Sequence, residues 1–384
     1  MAAEVPGITP VRRCAAYDSP MSTQISVRPA QVPAEPGAET GPVLTEGLPR
    51  GRATVLDVAR MAGVSGRTVS RVVAGGVSVS PETRQRVTEA VRVLRFRPNR
   101  MAQELRSGGI STTVGFVVGD FTNAFYMQVA AGIERLTTEL GLTMLLAATR
   151  DVPDQEPTTV GAVLEHRVRA LLLVPIGEDH GYLEHEEELG TPIVSVDRPA
   201  ANADLDSVVF DNRGGAAAAV ISMIAAGHRR IAFVGSDRTI YTHRERLDGY
   251  HQALRGAGLP TPPTLVCTDA PDAESAGRAA SELLTSADAP TAIFAGNNIA
   301  ANGVLPVLWN HPHEVAFVSF DDFQFADALG ISVVSHDPAE MGSEALQLAL
   351  SRYDDPDRPS RQIVLPTRLI RRRSGELPPA RRVG

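Results

Sequence analysis

Short, continuous apolar runs separated by stretches of helical periodicity dominate the chain from about residue 112 to 370. The runs at 113–118, 142–147, 170–174, 193–196, 231–235, 264–267, 292–295 and 315–319 place apolar side chains at consecutive positions, the pattern of strands covered on both faces of a parallel sheet. Between them, 125–140, 215–226, 242–256, 273–285 and 339–352 read as helices. Repeated strand–helix units build doubly wound α/β sheets. The pattern runs twice, with a break around 197–212, so it predicts two similar subdomains with a ligand cleft between them at the carboxyl ends of the strands.

Upstream the pattern changes to short helical faces. Val58, Ala59 and Ala62 form one apolar face, and Val64, Val69, Val72 and Val73 form a second. Faces this close in sequence meet only across a tight bend, and Gly63 stands where the chain needs a left-handed residue to make it. Thr54 with Asp57 reads as a capping box for the first helix, and Ser65 as the cap of the second, accepting from Arg67 or Thr68. Ser80, Pro81 and Glu82 start a third helix, whose Val87, Ala90, Val91 and Leu94 close a miniature core. This is a helix-turn-helix. Arg67, Thr68, Ser70 and Arg71 are left on the free face of the second helix, where such a motif offers side chains to base edges in the major groove. A plain helical hairpin would bury the same Val, Ala and Gly, so charge has to decide.

Charge separates this segment from the rest. Residues 50–106 hold 12 Arg against four acids, a net of +8, whereas the whole chain is at −8 and the remainder therefore at −16. A basic head on an acidic body is the footprint of a reader of polyanions. The chain has no lysine, which reads as coding bias, although Arg suits bidentate contacts to guanine and phosphate. At 384 residues, 43% hydrophobic and 21% charged, the composition is that of a soluble globular protein of two or three domains. No run approaches a membrane span and the first 20 residues lack an apolar signal core, so the expected location is the cytoplasm. Two cysteines, Cys14 and Cys267, argue against a disulfide framework or a metal cluster. Residues 1–50 hold eight prolines and little periodicity, which predicts a disordered tail; Met21 is a second candidate start.

The order of these parts resembles the lactose-repressor (LacI/GalR) family of bacterial transcription regulators over residues 53–374. The motifs that carry the resemblance are Leu56-Asp-Val-Ala59, Ala62-Gly-Val-Ser65 and Thr68-Val-Ser-Arg-Val72 in the head, and Arg97-Pro-Asn-Arg-Met-Ala-Gln-Glu-Leu-Arg106 after it. Further matches are Asp206-Ser-Val-Val-Phe-Asp-Asn212, Gly227-His-Arg-Arg-Ile231, Arg244-Glu-Arg-Leu-Asp-Gly-Tyr250, Pro290-Thr-Ala-Ile-Phe294 and Phe320-Asp-Asp322. The resemblance implies a disordered tail at 1–50, a helix-turn-helix domain at 51–97, a hinge helix and linker at 98–110, a two-lobed periplasmic-binding-protein-like body at 111–374 and a tail at 375–384. It places Thr54, Ser65, Gly66, Arg67, Thr68, Ser70 and Arg71 on operator DNA. Asn99 would cap the hinge helix, with Arg100 and Ala102 at the DNA and Leu105 wedged into the central minor-groove step. It places Asp197, Arg246, Asn297 and Asp321 on effector hydroxyls, suited to charge-assisted bonds, with Phe125 and His336 beside them. The chain departs from the family pattern at three points. Ala74 followed by Gly75 and Gly76 suggests a looser turn after the recognition helix. Asn298 replaces a common Asp. Pro306, in a shortened segment, argues against a regular helix and the usual cleft wall there.

Rival readings fare worse. No Gly-rich phosphate loop follows a strand, and Gly63-Val-Ser-Gly66 lacks the strand and spacing of a nucleophile elbow, so no enzyme and no cofactor are expected. His311, His313 and Glu314, in a Pro-containing loop, are too few for a metal site. A transporter's solute-binding protein would share the body but not residues 53–106. The sequence therefore points to a repressor acting as a homodimer on a pseudo-palindromic double-stranded operator, with a sugar effector, or alternatively a purine-like or phosphorylated one, and no membrane partner.

Overall fold

The computed structural model describes residues 52–76, 78–97, 111–310 and 315–379. Two compact units divide between Pro98 and Asn99. The first holds helices α1 (Val55–Ala62), α2 (Gly66–Val73) and α3 (Pro81–Val93). Val58, Ala59, Ala62, Val69, Val87, Ala90 and Phe96 are its buried core. Thr54 and Asp57 close the capping box of α1, and Gly63 ends it at φ 63°. The turn after α2 is tighter than its sequence suggests. Gly75 takes φ 78°, the amides of Gly75 and Gly76 donate to the carbonyls of Val72 and Arg71, and Arg84 Nη2 reaches the Gly76 carbonyl at 2.5 Å.

The second unit contains two six-stranded sheets. In chain order its elements are β1 (Thr113–Val118), α4 (Ala124–Glu139), β2 (Thr143–Ala148), α5 (Glu156–Leu164), β3 (Ala170–Leu173), α6 (Tyr182–Glu188), β4 (Ile193–Val196), β5 (Asp206–Phe210), α7 (Asn212–Ala225), β6 (Ile231–Val234), α8 (Tyr241–Gly256), β7 (Val266–Cys267), α9 (Ala273–Thr285), β8 (Ala292–Ala295), α10 (Asn298–Trp309), β9 (Ala316–Phe320), β10 (Ser332–Ser335), α11 (Pro338–Ser351), β11 (Gln362–Leu365) and β12 (Arg368–Ile370). The N lobe is ordered β11-β5-β4-β3-β1-β2 and the C lobe β12-β10-β9-β8-β6-β7. All neighbours are parallel except β10 and β12.

Consecutive apolar residues are spent on opposite faces, as a doubly covered sheet requires. On β1, Val114, Phe116 and Val118 pack under α4 and α11, whereas Val117 packs under α5 and α6. The chain crosses between lobes three times, at 211–212, 336–337 and 366–367, because α11 and β11 return to the N lobe. Gly132 and Gly342 let α4 and α11 approach closely; a Cβ on Gly132 would lie 1.9 Å from the Ala339 carbonyl oxygen, and one on Gly342 2.2 Å from that of Val129.

Several elements differ from the sequence reading. The break expected around 197–212 contains β5, whose polar first residues hide a fully buried strand. Strands β10, β11 and β12 and helices α5, α6 and α10 carry patterns too short or mixed to stand out. Helix α10 continues through Pro306. Pro306 and Asn302, four residues before it, are both exposed, so the carbonyl that loses its partner lies on the solvent side. Residues 375–379 do not trail away: Gly375 is buried, and the Leu377 carbonyl lies 2.7 Å from His228 Nε2. The tail at 1–50, the hinge at 98–110 with Asn99, Arg100, Ala102 and Leu105, and His311, His313 and Glu314 lie outside the described residues.

Candidate functional site

In the head, the polar residues divide into those spent on the fold and those left over. Thr54 Oγ1 lies 2.7 Å from Asp57 Oδ2, and Ser65 Oγ accepts from the Thr68 amide at 3.2 Å while sitting 2.9 Å from Thr68 Oγ1. Thr54, Ser65 and Thr68 thus hold helix starts. A Cβ on Gly66 would meet only ordinary contacts with Val55 and Leu56, so packing does not require glycine there. Ser70 is half-buried, and Arg67 and Arg71 are exposed on one face of α2. Neither arginine makes an ion pair among the described residues, unlike Arg60 with Asp57 and Arg92 with Glu89. Two unpaired guanidiniums one helical turn apart suit phosphate or guanine.

In the body, the strands' carboxyl ends face each other across a cleft. Its inner part has a volume of about 350 Å³ and adjoins a wider mouth of about 960 Å³. At its floor is a buried polar cluster. Arg246, from α8, donates Nε to Asn212 Oδ1 at 2.7 Å and Nη1 to the Gly296 carbonyl at 2.8 Å. Its guanidinium lies over the Phe320 ring, 3.8 Å from the centroid, and reaches both oxygens of Asp321 at a longer 3.4 Å. Asp321 also accepts from His336 Nε2 at 2.9 Å and from the Asn298 amide at 3.2 Å. Burial alone would raise this carboxyl, but Arg246, His336 and the Asn298 amide outweigh it and hold it well below the usual range,.

The structure brings Phe125, Asp197, Arg246, Asn297 and Asp321 to one inner cavity, with His336 on the adjoining mouth. Their roles differ. Asn297 caps α10, its Oδ1 accepting from the Ala300 amide at 2.8 Å. The Asp321 oxygens already have donors, so an incoming hydroxyl would compete with the long Arg246 contacts rather than fill a free acceptor. Asp197 is bound by Arg198 through Nε and Nη2 at 3.1 and 2.9 Å. Asn298 crosses the cleft, its Nδ2 donating to Asn123 Oδ1 at 3.4 Å.

Three residues absent from the sequence reading belong here. Arg198 donates Nη2 to the Tyr126 hydroxyl at 3.0 Å; burial works against its charge, and Tyr126, Asp197 and Asp151 outweigh it. Burial pushes the Tyr126 phenol up. His243 Nδ1 accepts from the Ser236 amide at 3.4 Å, which leaves the hydrogen on Nε2. Burial and the neighbouring Arg246 and Arg198 bring its pKa down to about 3. The signal for Arg198 was its place two residues past an apolar strand run, where parallel sheets present ligand-facing groups.

Six aspartates and three arginines line the cleft, a net of −3 with the histidines neutral. Arg372 pairs with Asp322 and Asp327 at the mouth, whereas Asp120 and Asp151 make no ion pair among the described residues.

Comparison with known proteins agrees in both units. The model of bacterial regulatory proteins of the lacI family matches residues 54–99, and that of the periplasmic binding protein-like domain matches 220–375. Catabolite control protein A of Priestia megaterium is 31% identical over 329 residues, covering 84% of this chain and 98% of that protein. The solved complex of the transcriptional regulator CelR with cellobiose is 31% identical, with a TM-score of 0.62 over 84% of this chain and 100% of that one. The lac repressor dimer bound to operator and the anti-inducer ONPF shares the fold, at 24% identity and a TM-score of 0.74 over 85% and 99% of the two chains.

Proposed function

The chain belongs to the lacI family of bacterial transcription regulators, and on that premise we propose that it is an operator-binding repressor controlled by a neutral saccharide held between its lobes. The observation that carries the effector class is the cleft's charge. A net of −3 repels phosphate esters and other anions, whereas carboxylates and guanidiniums in alternation suit the paired donors and acceptors of a sugar's hydroxyls. The Phe125 ring supplies an apolar face for the sugar's C–H side. We assign effector contact to Arg246, Arg198, Asp197, Phe125 and His243, with Asp321, Asn297 and His336 holding them in place.

Arg67, Thr68, Ser70 and Arg71 are assigned to operator recognition, with Thr54, Ser65 and Gly66 approaching the DNA backbone and Leu105 at the central base step. A homodimer has support from the C lobe's surface. Trp309 is 70% exposed, Phe325 67% and Leu329 42%, and Leu305, Pro306, Trp309 and Leu329 line one apolar groove, a surface that a second chain would cover. Two such chains present two heads with two-fold symmetry, which calls for a pseudo-palindromic site. No described helix is long and apolar enough to cross a membrane; a regulator of transcription works where the chromosome is, in the cytoplasm. The relatives are regulators, and we read this chain as one rather than as an enzyme.

The test has two arms. Selection of bound duplexes from a random pool should return a two-fold symmetric site, and an asymmetric consensus would overturn the dimeric reading. Neutral mono- and disaccharides should raise the melting temperature while their phosphates do not, since any ligand of the folded state stabilises it. Stabilisation by phosphates alone would overturn the effector class.

A further inference from the structure

His336 occupies the second of the three crossings between lobes, between β10 in the C lobe and α11 in the N lobe. Its side chain is only 3% exposed, and its two sides face different lobes. Toward the C lobe, Nε2 lies 2.9 Å from Asp321 Oδ1; a carboxylate only accepts, so Nε2 carries the hydrogen. Toward the N lobe, the ring stacks on Phe210 with centroids 4.1 Å apart and planes 24° from parallel, and meets Phe125 edge to face at 5.6 Å. Phe210 ends β5 beside the first crossing, and Phe125 stands in the first turn of α4. From there the contacts continue: Phe125 to Tyr126 at 5.3 Å, Tyr126 to Arg198 at 3.0 Å, and Arg198 to Asp197. One ring thus connects the carboxylate at the floor of the C lobe with the aromatic set and carboxylate of the N lobe. Its Nδ1 is buried without a hydrogen-bond partner, a cost that native structures accept at few positions.

We propose that His336 is the coupling residue of the cleft: it converts a change in how Asp321 is shared into a change in how the N lobe's aromatic set is seated. The proposal rests on the cleft being the effector site. An effector hydroxyl that displaces the 3.4 Å Arg246 contacts alters the charge His336 faces. The ring is held between Asp321 and Phe210, so it transmits that alteration to β5 and α4, beside two crossings. Mere adjacency is not coupling, which has to be measured as non-additivity.

The experiment needs no effector, so its outcome is independent of the saccharide screen. Hydrogen exchange of the full chain is followed in peptides covering residues 121–128 and 206–212. Asp321→Asn should speed exchange there by about threefold or more, because a loosened partner raises the population of local openings. In a His336→Phe background, which keeps an aromatic stack and removes the hydrogen bond, Asp321→Asn should add nothing. His336→Gln, which keeps a donor and removes the ring, should uncouple the two in the same way, and it serves if the Phe variant does not fold. An equal acceleration in all backgrounds, or none in the original chain, would overturn the proposal, since a residue that only fills space would leave the two substitutions additive.

Discussion

Asp197 and Asp321 are counterparts in the two lobes. Each directly follows the third strand of its sheet, β4 or β9. Each has left-handed backbone, φ 72° and 68°, and each donates its amide to the neighbouring strand, to the Val208 carbonyl at 2.9 Å or the Val334 carbonyl at 3.0 Å. Asp tolerates this conformation better than most side chains. The turn swings both carboxylates off the sheets toward the cleft, where each meets an arginine. The symmetry ends with the arginine's origin. Arg198 is the next residue in sequence, whereas Arg246 comes from a helix 75 residues before Asp321. Arg246 is the more buried of the two arginines, its side chain 6% exposed against 14% for Arg198, and Asp321 is the more heavily shared carboxylate.

That burial makes Arg246 a structural as well as a recognition residue. Arg246→Ala should abolish the effector response. It should also lower the stability of the body by roughly 3–5 kcal/mol, the cost of removing one partner from a buried ion pair. Adding Asp321→Asn should recover part of the melting temperature but none of the response. An Arg246→Ala variant as stable as the parent by thermal melting would show that Asp321 does not depend on it.

His243 ties stability to pH. Its folded-state pKa is depressed from 6.5 to about 3, so protons bind preferentially to the unfolded chain. Its contribution is full above pH 6.5 and is lost as pH falls toward 3, amounting to roughly 2 kcal/mol at pH 5. His228 and His251, also depressed, act in the same direction. His243→Asn should therefore flatten, without abolishing, the fall in melting temperature between pH 7 and pH 5. An unchanged slope would mean that His243 is not held neutral.

Arg67 and Arg71 should behave unlike the other arginines of the head. If either reads a guanine, its replacement by Ala should cost about 1–3 kcal/mol on the selected operator and relax preference at one base pair. Equal losses on operator and random duplex, measured by titration at fixed salt, would assign it to phosphate instead.

Gly132→Ala should force α4 and α11 apart, because the new methyl group would meet the Ala339 carbonyl. Overpacking of this kind costs about 1–3 kcal/mol. Chemical denaturation of the full chain would read it as a lower midpoint. Gly161→Ala, also inside a helix, has no atom within 4 Å of the added carbon and controls for the substitution without overpacking.

The sequence by itself determined the local structure and the class of protein. The helix-turn-helix was readable because its parts are local: a capping residue, a left-handed glycine and an apolar face all lie within a few residues of one another, and Thr54, Gly63 and Ser65 act at short range. The doubly wound body was readable because consecutive apolar residues at positions such as 113–118 imply cover on both faces. Tertiary structure decided which residues share a site. Arg246 and Asp321 are far apart in the chain and meet only because α8 packs against the C lobe's sheet beside the end of β9. Asn297 and Asp321 have the chemistry of ligand contacts, but packing assigns the first to a helix cap and surrounds the second with donors. Tyr126 and His243 carry no distinguishing sequence pattern, and Arg198 only its place after a strand run; their roles arise from what burial places beside them. A side chain's type sets what it can bond, and only the fold sets which of those bonds are already taken.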